Sequence, residues 1–313
     1  MNRKNAIGLI ALDLDGTTLT RGHITPRTRK ALEEAIDRGI HVVIATGRTW
    51  CALPEDVFKI RGLEYVVTSN GAMITELATG NVIYENCIDP CPLQEISALL
   101  RNCSGFPVEV FTGGKAYIGR SVFEDIRDHG SSYMNRSYIL RTRQPVEDIY
   151  GFLDAHSSAI ENINIHFESF EEKASMKKIL EKIPDITVTS SVPHNLEIGG
   201  ATTSKATGLA ALCEIIHADL SSAMACGDSP NDMAMLAEAG LGIAMGNGEP
   251  EVRAMADFVA PSNEEEGVAF AVETFALGRM RPDWQLTLLK GKNLLLKKLR
   301  SLARRTVKKI RKK

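Results

Sequence analysis

Short apolar runs alternate with amphipathic stretches along most of the chain. Leu9 to Leu14 predicts a buried strand, His41 to Ala45 a second and Tyr65 to Thr68 a third. Between the first two, Thr25-Pro26 opens a helix, with Thr as the N-cap and Pro at the first helical position. Ala31, Leu32, Ala35 and Ile36 give that helix one apolar face, and Gly39 ends it. The rhythm returns late in the chain. A helix from Lys205 carries Leu209, Leu212, Cys213 and Ile216, and Ser222 to Cys226 follows as a strand. Asp232 to Ala239 predicts a helix, Leu241 to Met245 and Phe258 to Ala260 strands, and Gly267 to Leu277 a last helix. Strand–helix alternation of this kind predicts an α/β fold, a doubly wound parallel sheet covered by helices on both faces.

The middle breaks the rhythm. Ile88-Asp89-Pro90-Cys91-Pro92 reads as a linker and Pro193 to Thr203 as a loop-rich stretch, with helices and strands between them. This predicts a core in two parts, 1–87 and 193–280, an inserted α/β domain at 88–192, and a tail at 281–313. A length of 313 residues accords with two domains.

Composition adds a charge asymmetry. The tail holds 13 Lys or Arg and one acid, Asp283, so its net charge is +12 against −14 for the rest. Trp284 to Lys313 has the pattern of a basic amphipathic helix, broken near Gly291. Such a helix can lie on an anionic membrane or contact nucleic acid. A solvated tail, or one docked on the acidic body, would share its composition. No apolar run is long enough to span a bilayer. The six cysteines form no paired or zinc-binding framework, so reduced thiols and a cytoplasmic protein are expected.

The chemistry concentrates after predicted strands. Asp13-Leu14-Asp15-Gly16-Thr17-Thr18 places two carboxylates two residues apart at a strand end, where ligands bind in open α/β sheets. Alone it could be a turn, because Asp-Gly is a common turn pair. Gly227-Asp228-Ser229-Pro230-Asn231-Asp232 is a second acidic cluster at a strand end. Carboxylates gathered there would repel one another without a cation, and oxygen ligands suit Mg²⁺. Thr46-Gly47-Arg48 follows a third strand, and its hydroxyl and amides can cradle phosphate oxygens. Lys205 stands at a helix start, the wrong end for the dipole, which points to a partner such as phosphate or a carboxylate.

In this order the four elements resemble the motifs of the haloacid dehalogenase-like hydrolases. Ser69-Asn70-Gly71-Ala72, Ala244-Met245-Gly246-Asn247, Asn263 and Gly267-Val268 further resemble the Cof-type phosphatases. The resemblance runs from about Ile7 to Leu277 and leaves the tail uncovered. It departs at Ala206, where the family usually has Gly, and at Pro261, where Thr is common. It implies a Rossmann-like core with an inserted α/β cap.

The resemblance also implies a phosphatase acting on a small phosphorylated metabolite, a sugar phosphate or a phosphorylated cofactor. Asp13 would be the nucleophile and Asp15 the general acid and base. Mg²⁺ would be held by Asp13, the Asp15 carbonyl and Asp228, with Asp232 holding a metal-bound water or Lys205. Thr46, Gly47, Lys205 and Asn231 would bind the phosphoryl group. Arg48 would join them or reach the substrate, or else lie on the surface. Lys115, Tyr117, Arg120 and His166 are the polar or aromatic cap candidates for substrate choice, and each could equally be a packing or surface residue. A phosphomutase shares the covalent intermediate, and a silent phosphometabolite-binding protein shares the fold.

Overall fold

The computed structural model describes residues 7–103 and 105–279. The predicted tail helix, with its membrane or nucleic-acid contacts, lies outside the described residues. The strands are β1 (Leu9–Leu12), β2 (His41–Ala45), β3 (Tyr65–Thr68), β4 (Met73–Glu76) and β5 (Val82–Glu85). Then come β6 (Val108–Thr112), β7 (Lys115–Gly119), β8 (Arg143–Val146), β9 (Ile160–His166), β10 (Ile186–Thr189) and β11 (Asn195–Gly200). The chain closes with β12 (Ala223–Gly227), β13 (Leu241–Ala244) and β14 (Phe258–Val259).

Eight strands form the first sheet in the order β14-β13-β12-β1-β2-β3-β4-β5. The run from β14 to β3 is parallel, and β4 and β5 add an antiparallel edge. The central parallel strands β12, β1, β2 and β3 are buried on both faces, as parallel sheets are, while the edge strand β5 is largely exposed. Along β1, Ile10 and Leu12 pack on one side with the helix Pro26–Asp37, and Leu9 and Ala11 on the other with the helix Lys205–Ile215. Each of the fully buried Leu and Ile side chains among them contributes about 1.5–3 kcal/mol by leaving water. The helix Pro26–Asp37 starts as its sequence predicts: Thr25 accepts from the Thr28 amide and Pro26 occupies the first turn.

The second sheet, β10-β11-β9-β6-β7-β8, lies between β5 and β12 in the chain. It is antiparallel except for the β7–β8 pair and packs its helices over a separate apolar core. Two expectations change here. Pro193–Thr203 contains a strand, β11, so the second sheet runs past residue 192 to Gly200. Its sequence, Asn-Leu-Glu-Ile-Gly-Gly, hides that strand because its polar positions are buried too. The supposed linker at 88–92 opens the helix Pro90–Asn102, with Pro at its first turn. In the core, β1 stops at Leu12, which leaves Asp13 in the loop, and Pro230–Asp232 form a tight turn before the helix Met233–Glu238. No helix among the described residues is long and apolar enough to cross a membrane.

Candidate active site

The strand order of the first sheet reverses around β1, and the predicted residues gather at the carboxyl ends of its neighbours, where such sheets bind ligands. Asp13 follows β1, Thr46 follows β2 and Asp228 follows β12. Asp13, Asp15, Thr46, Gly47, Arg48 and Asn231 line one cleft of about 640 Å³ that the second sheet closes from above.

Lys205 organises the floor. It is buried at the first turn of its helix, and Nζ donates to Asp13 Oδ1 at 2.6 Å and to Asp232 Oδ1 at 2.7 Å. These two carboxylates outweigh the unfavourable helix end. Burial alone would depress the ammonium, but Asp13 and Asp232 hold it well above its usual range. Gly71 lets the helix come this close. Its φ is +97°, and a Cβ there would stand 2.0 Å from the Ser204 carbonyl oxygen.

Asp232 also accepts from the Asp228 and Ser229 amides, both at 3.0 Å. Asp228 accepts from Thr17 at 2.8 Å and from Ser229 at 3.0 Å. Gly16 turns the first loop against it: φ is +77°, and a Cβ there would meet Asp228 Oδ2 at 2.4 Å. Two asparagines buttress that loop. Asn247 donates to the Gly16 carbonyl and Asn263 to that of Leu19, both at 2.8 Å.

Carboxylate oxygens of Asp13, Asp228 and Asp232 lie within 4.8 Å of one another. Lys205 alone does not balance them. Burial, then Asp232, pushes the Asp228 carboxyl up to about 6. Burial likewise raises Asp13 well above the carboxylate range against the pull of Lys205, and Asp232, Asp228 and Asp15 add to the rise. A tight, all-oxygen, electron-rich cluster fits a hard divalent cation.

Asp15 turns away from this floor. Arg48 Nε and Nη2 grip its carboxylate, both at 2.7 Å, while Nη1 donates to the Ala52 carbonyl at 2.9 Å. The guanidinium lies 5.0 Å from the Tyr138 ring, which belongs to the upper layer. Arg48 is thus part of the cleft rather than a plain surface residue.

Asn231 holds an unexpected orientation. Its Nδ2 donates to Asn70 Oδ1 at 3.0 Å, Asn70 Nδ2 donates to Glu197 Oε2 at 2.7 Å, and Asn231 Oδ1 is buried without a partner. A carboxylate can only accept, so Glu197 sets the direction of both amides.

Of the four cap candidates only His166 lines the cleft. Tyr117 packs on Phe152, Arg120 pairs with Glu147, and Lys115 is exposed. Sequence reasoning missed Glu109, Arg143, Asn164 and Glu197, which meet only when distant strands pair. The alternation Asn162-Ile163-Asn164-Ile165-His166 was the available signal, since it gives one strand a polar face.

The fold and the strand-end cluster define a hydrolase of the haloacid dehalogenase type. The model of the haloacid dehalogenase-like hydrolase family matches residues 10–272, and the chain belongs to that family. It is similar, at 33% identity over 272 residues, to a 5-amino-6-(5-phospho-D-ribitylamino)uracil phosphatase of Bacillus subtilis, covering 87% of this chain and 96% of the relative. A second Bacillus subtilis phosphatase, YwpJ, is 33% identical over 279 residues, with 83% and 97% covered. Among solved structures, a haloacid dehalogenase-like hydrolase from B. subtilis aligns with a TM-score of 0.74 at 29% identity, over 85% of this chain and 99% of that one.

Proposed function

We propose that the protein is a phosphatase that hydrolyses a small phosphomonoester, a sugar phosphate or a phosphorylated cofactor, through an aspartyl-phosphate at Asp13. The observation that carries this reading is the floor of the cleft. One buried lysine orients Asp13 and Asp232, Asp228 stands beside them, and Asp13 faces the cleft. The relatives named as phosphatases support the reaction class.

In this reading an Asp13 carboxylate oxygen attacks phosphorus in line, and the bond from phosphorus to the leaving oxygen breaks. Asp15 gives its proton to that oxygen. It then takes a proton from the water that attacks the aspartyl-phosphate, and inorganic phosphate leaves with the Asp13 carboxylate restored. Arg48 holds Asp15 at the cleft mouth between these duties. Lys205 fixes Asp13, while Thr46 and the Gly47 amide receive the phosphoryl oxygens. The unpartnered Asn231 carbonyl oxygen fits a donor, such as a hydroxyl, better than a phosphate oxygen. Asp13, the Asp15 carbonyl and Asp228 would hold Mg²⁺, which neutralises repulsion between the nucleophile and the phosphate. A cytoplasmic location goes with this reading.

The test is phosphate release from a panel of phosphorylated metabolites with Mg²⁺, beside an EDTA control and an Asp13→Asn variant. Release that both controls abolish is the expected result. Phosphate moved within the substrate, with none set free, would instead identify a mutase. Tight binding without turnover would identify a silent binding protein.

A further inference from the structure

The upper layer forms a wall over the cleft, and one aromatic ring of that wall meets guanidinium groups from both layers. Tyr138 lies on the helix Arg136–Thr142, is half-buried and lines the cleft. The guanidinium of Arg48, from the core, lies over its ring at 5.0 Å, and that of Arg143, from β8, at 4.7 Å. Arg141, which is exposed, approaches the same ring at 6.0 Å.

The wall holds Tyr138 firmly. Arg143 Nε and Nη2 donate to the buried Glu109 carboxylate at 2.8 and 2.9 Å. Its Nη1 donates to Thr142 Oγ1 at 2.9 Å, and that hydroxyl donates to the Tyr138 carbonyl at 2.6 Å. Asn135 caps the helix by accepting from the Tyr138 amide at 3.1 Å. Ile139, 2% exposed, roots the helix in its own apolar cluster.

Arg48 is held less evenly. Two of its nitrogens donate to Asp15 and the third to the Ala52 carbonyl. The hold on Asp15 must change during turnover. When Asp15 carries the proton meant for the leaving oxygen, the charge that draws the guanidinium is gone, and charge-assisted bonds become ordinary ones. The attraction of a cation to an aromatic face does not depend on that proton. The Tyr138 ring and the Ala52 carbonyl therefore keep Arg48 in place while Asp15 alternates between acid and carboxylate.

We propose that Tyr138 is a positioning residue for the general acid and base. Its ring seats Arg48, and Arg48 returns Asp15 to one place at the cleft mouth after each proton transfer. This deepens the phosphatase reading and rests on it for the role of Asp15. The proton passes from Asp15 to the leaving oxygen as the bond from phosphorus to that oxygen breaks. The need for a well-seated acid therefore grows with the basicity of the leaving oxygen.

The experiment uses leaving groups of similar shape and rising basicity: p-nitrophenyl, phenyl and benzyl phosphate, each with Mg²⁺. The quantity read is kcat/KM, which reports aspartyl-phosphate formation and not its later hydrolysis. Tyr138→Leu should lower the value for benzyl phosphate by about 10-fold and that for p-nitrophenyl phosphate far less, so the dependence on leaving group steepens. Retained p-nitrophenyl phosphate turnover also certifies the fold, and Tyr138→Ala serves if the Leu variant does not fold. Tyr138→Phe, which keeps the ring, should restore most of the benzyl phosphate loss. In an Asp15→Asn background, Tyr138→Leu should add less than about 2-fold for benzyl phosphate, because its effect runs through Asp15. Equal losses for all three compounds, a Phe variant as slow as the Leu variant, or a full loss repeated in the Asp15→Asn background overturns the proposal and leaves the phosphatase reading standing. No turnover of any of the three by the unmodified chain also overturns it, and the metabolite panel then decides separately whether the phosphatase reading survives.

Discussion

On the floor of the cleft, three carboxylates, Asp13, Asp228 and Asp232, gather around one ammonium, Lys205. On its wall, one carboxylate, Glu109, meets one guanidinium, Arg143. The charge excess moves pKa values in opposite directions. On the floor, burial and neighbouring acids push Asp13 and Asp228 up. On the wall, burial would raise Glu109 too, but Arg143, then His166, holds it well below the carboxylate range. Buried charge is tolerated when it is paired or when a further ion completes it. The floor is built to gain a cation, whereas Glu109 and Arg143 on the wall already balance each other.

The largest test of that contrast is at the nucleophile. Asp13→Asn should lower kcat on the order of 10⁴-fold or more, measured as phosphate release, while circular dichroism shows a folded chain. Next is the cation that partly balances the floor. Lys205→Met leaves two buried carboxylates without it and should destabilise the protein by about 3–5 kcal/mol in denaturant unfolding. On the wall, Glu109→Gln strands Arg143 and should cost about 3 kcal/mol, whereas the double change Glu109→Leu with Arg143→Met should recover most of it. A double variant no more stable than the single one would show that the wall is not a self-contained pair. The smallest effect is in pH. Asp228 has a folded value near 6 against 3.8 unfolded, so its folded form binds the extra proton between them. The stability this contributes is present below 3.8 and is lost as pH rises through about 6. Without added metal, Tm should therefore rise on acidification from pH 7 toward 5, after subtracting the same scan of Asp228→Asn. Mg²⁺ should raise Tm more at pH 7 than at pH 5.

The floor was far more legible in the sequence than the wall. Asp13, Thr46 and Asp228 each follow a short apolar strand, so local pattern alone puts them at one edge of a parallel sheet. Lys205 betrayed itself by sitting at the wrong end of a helix. The grip of Arg48 on Asp15 was invisible, because nothing local relates the two loops. Glu109, Arg143 and Asn164 converge from β6, β8 and β9, whose pairing depends on registers that single segments do not encode. β11 was lost for a related reason. Asn195 and Glu197 are buried polar residues, satisfied by one another and by Asn70, and such residues read as loop when their partners are unknown.

Ser69 and Asn70 both have left-handed backbones, with φ of +49° and +56°, each a strain on the order of 1 kcal/mol or more. Two carboxylates of the upper sheet reach down to them: Glu161 accepts from Ser69 at 2.6 Å and Glu197 from Asn70 at 2.7 Å. The lid is therefore not a free module. Anyone grafting it onto another scaffold to borrow its selectivity must carry this pair of bent residues along, with Asn231 to receive them. A chimaera joined only at the two crossover points would inherit the shape of the lid and lose its grip on the chemistry beneath.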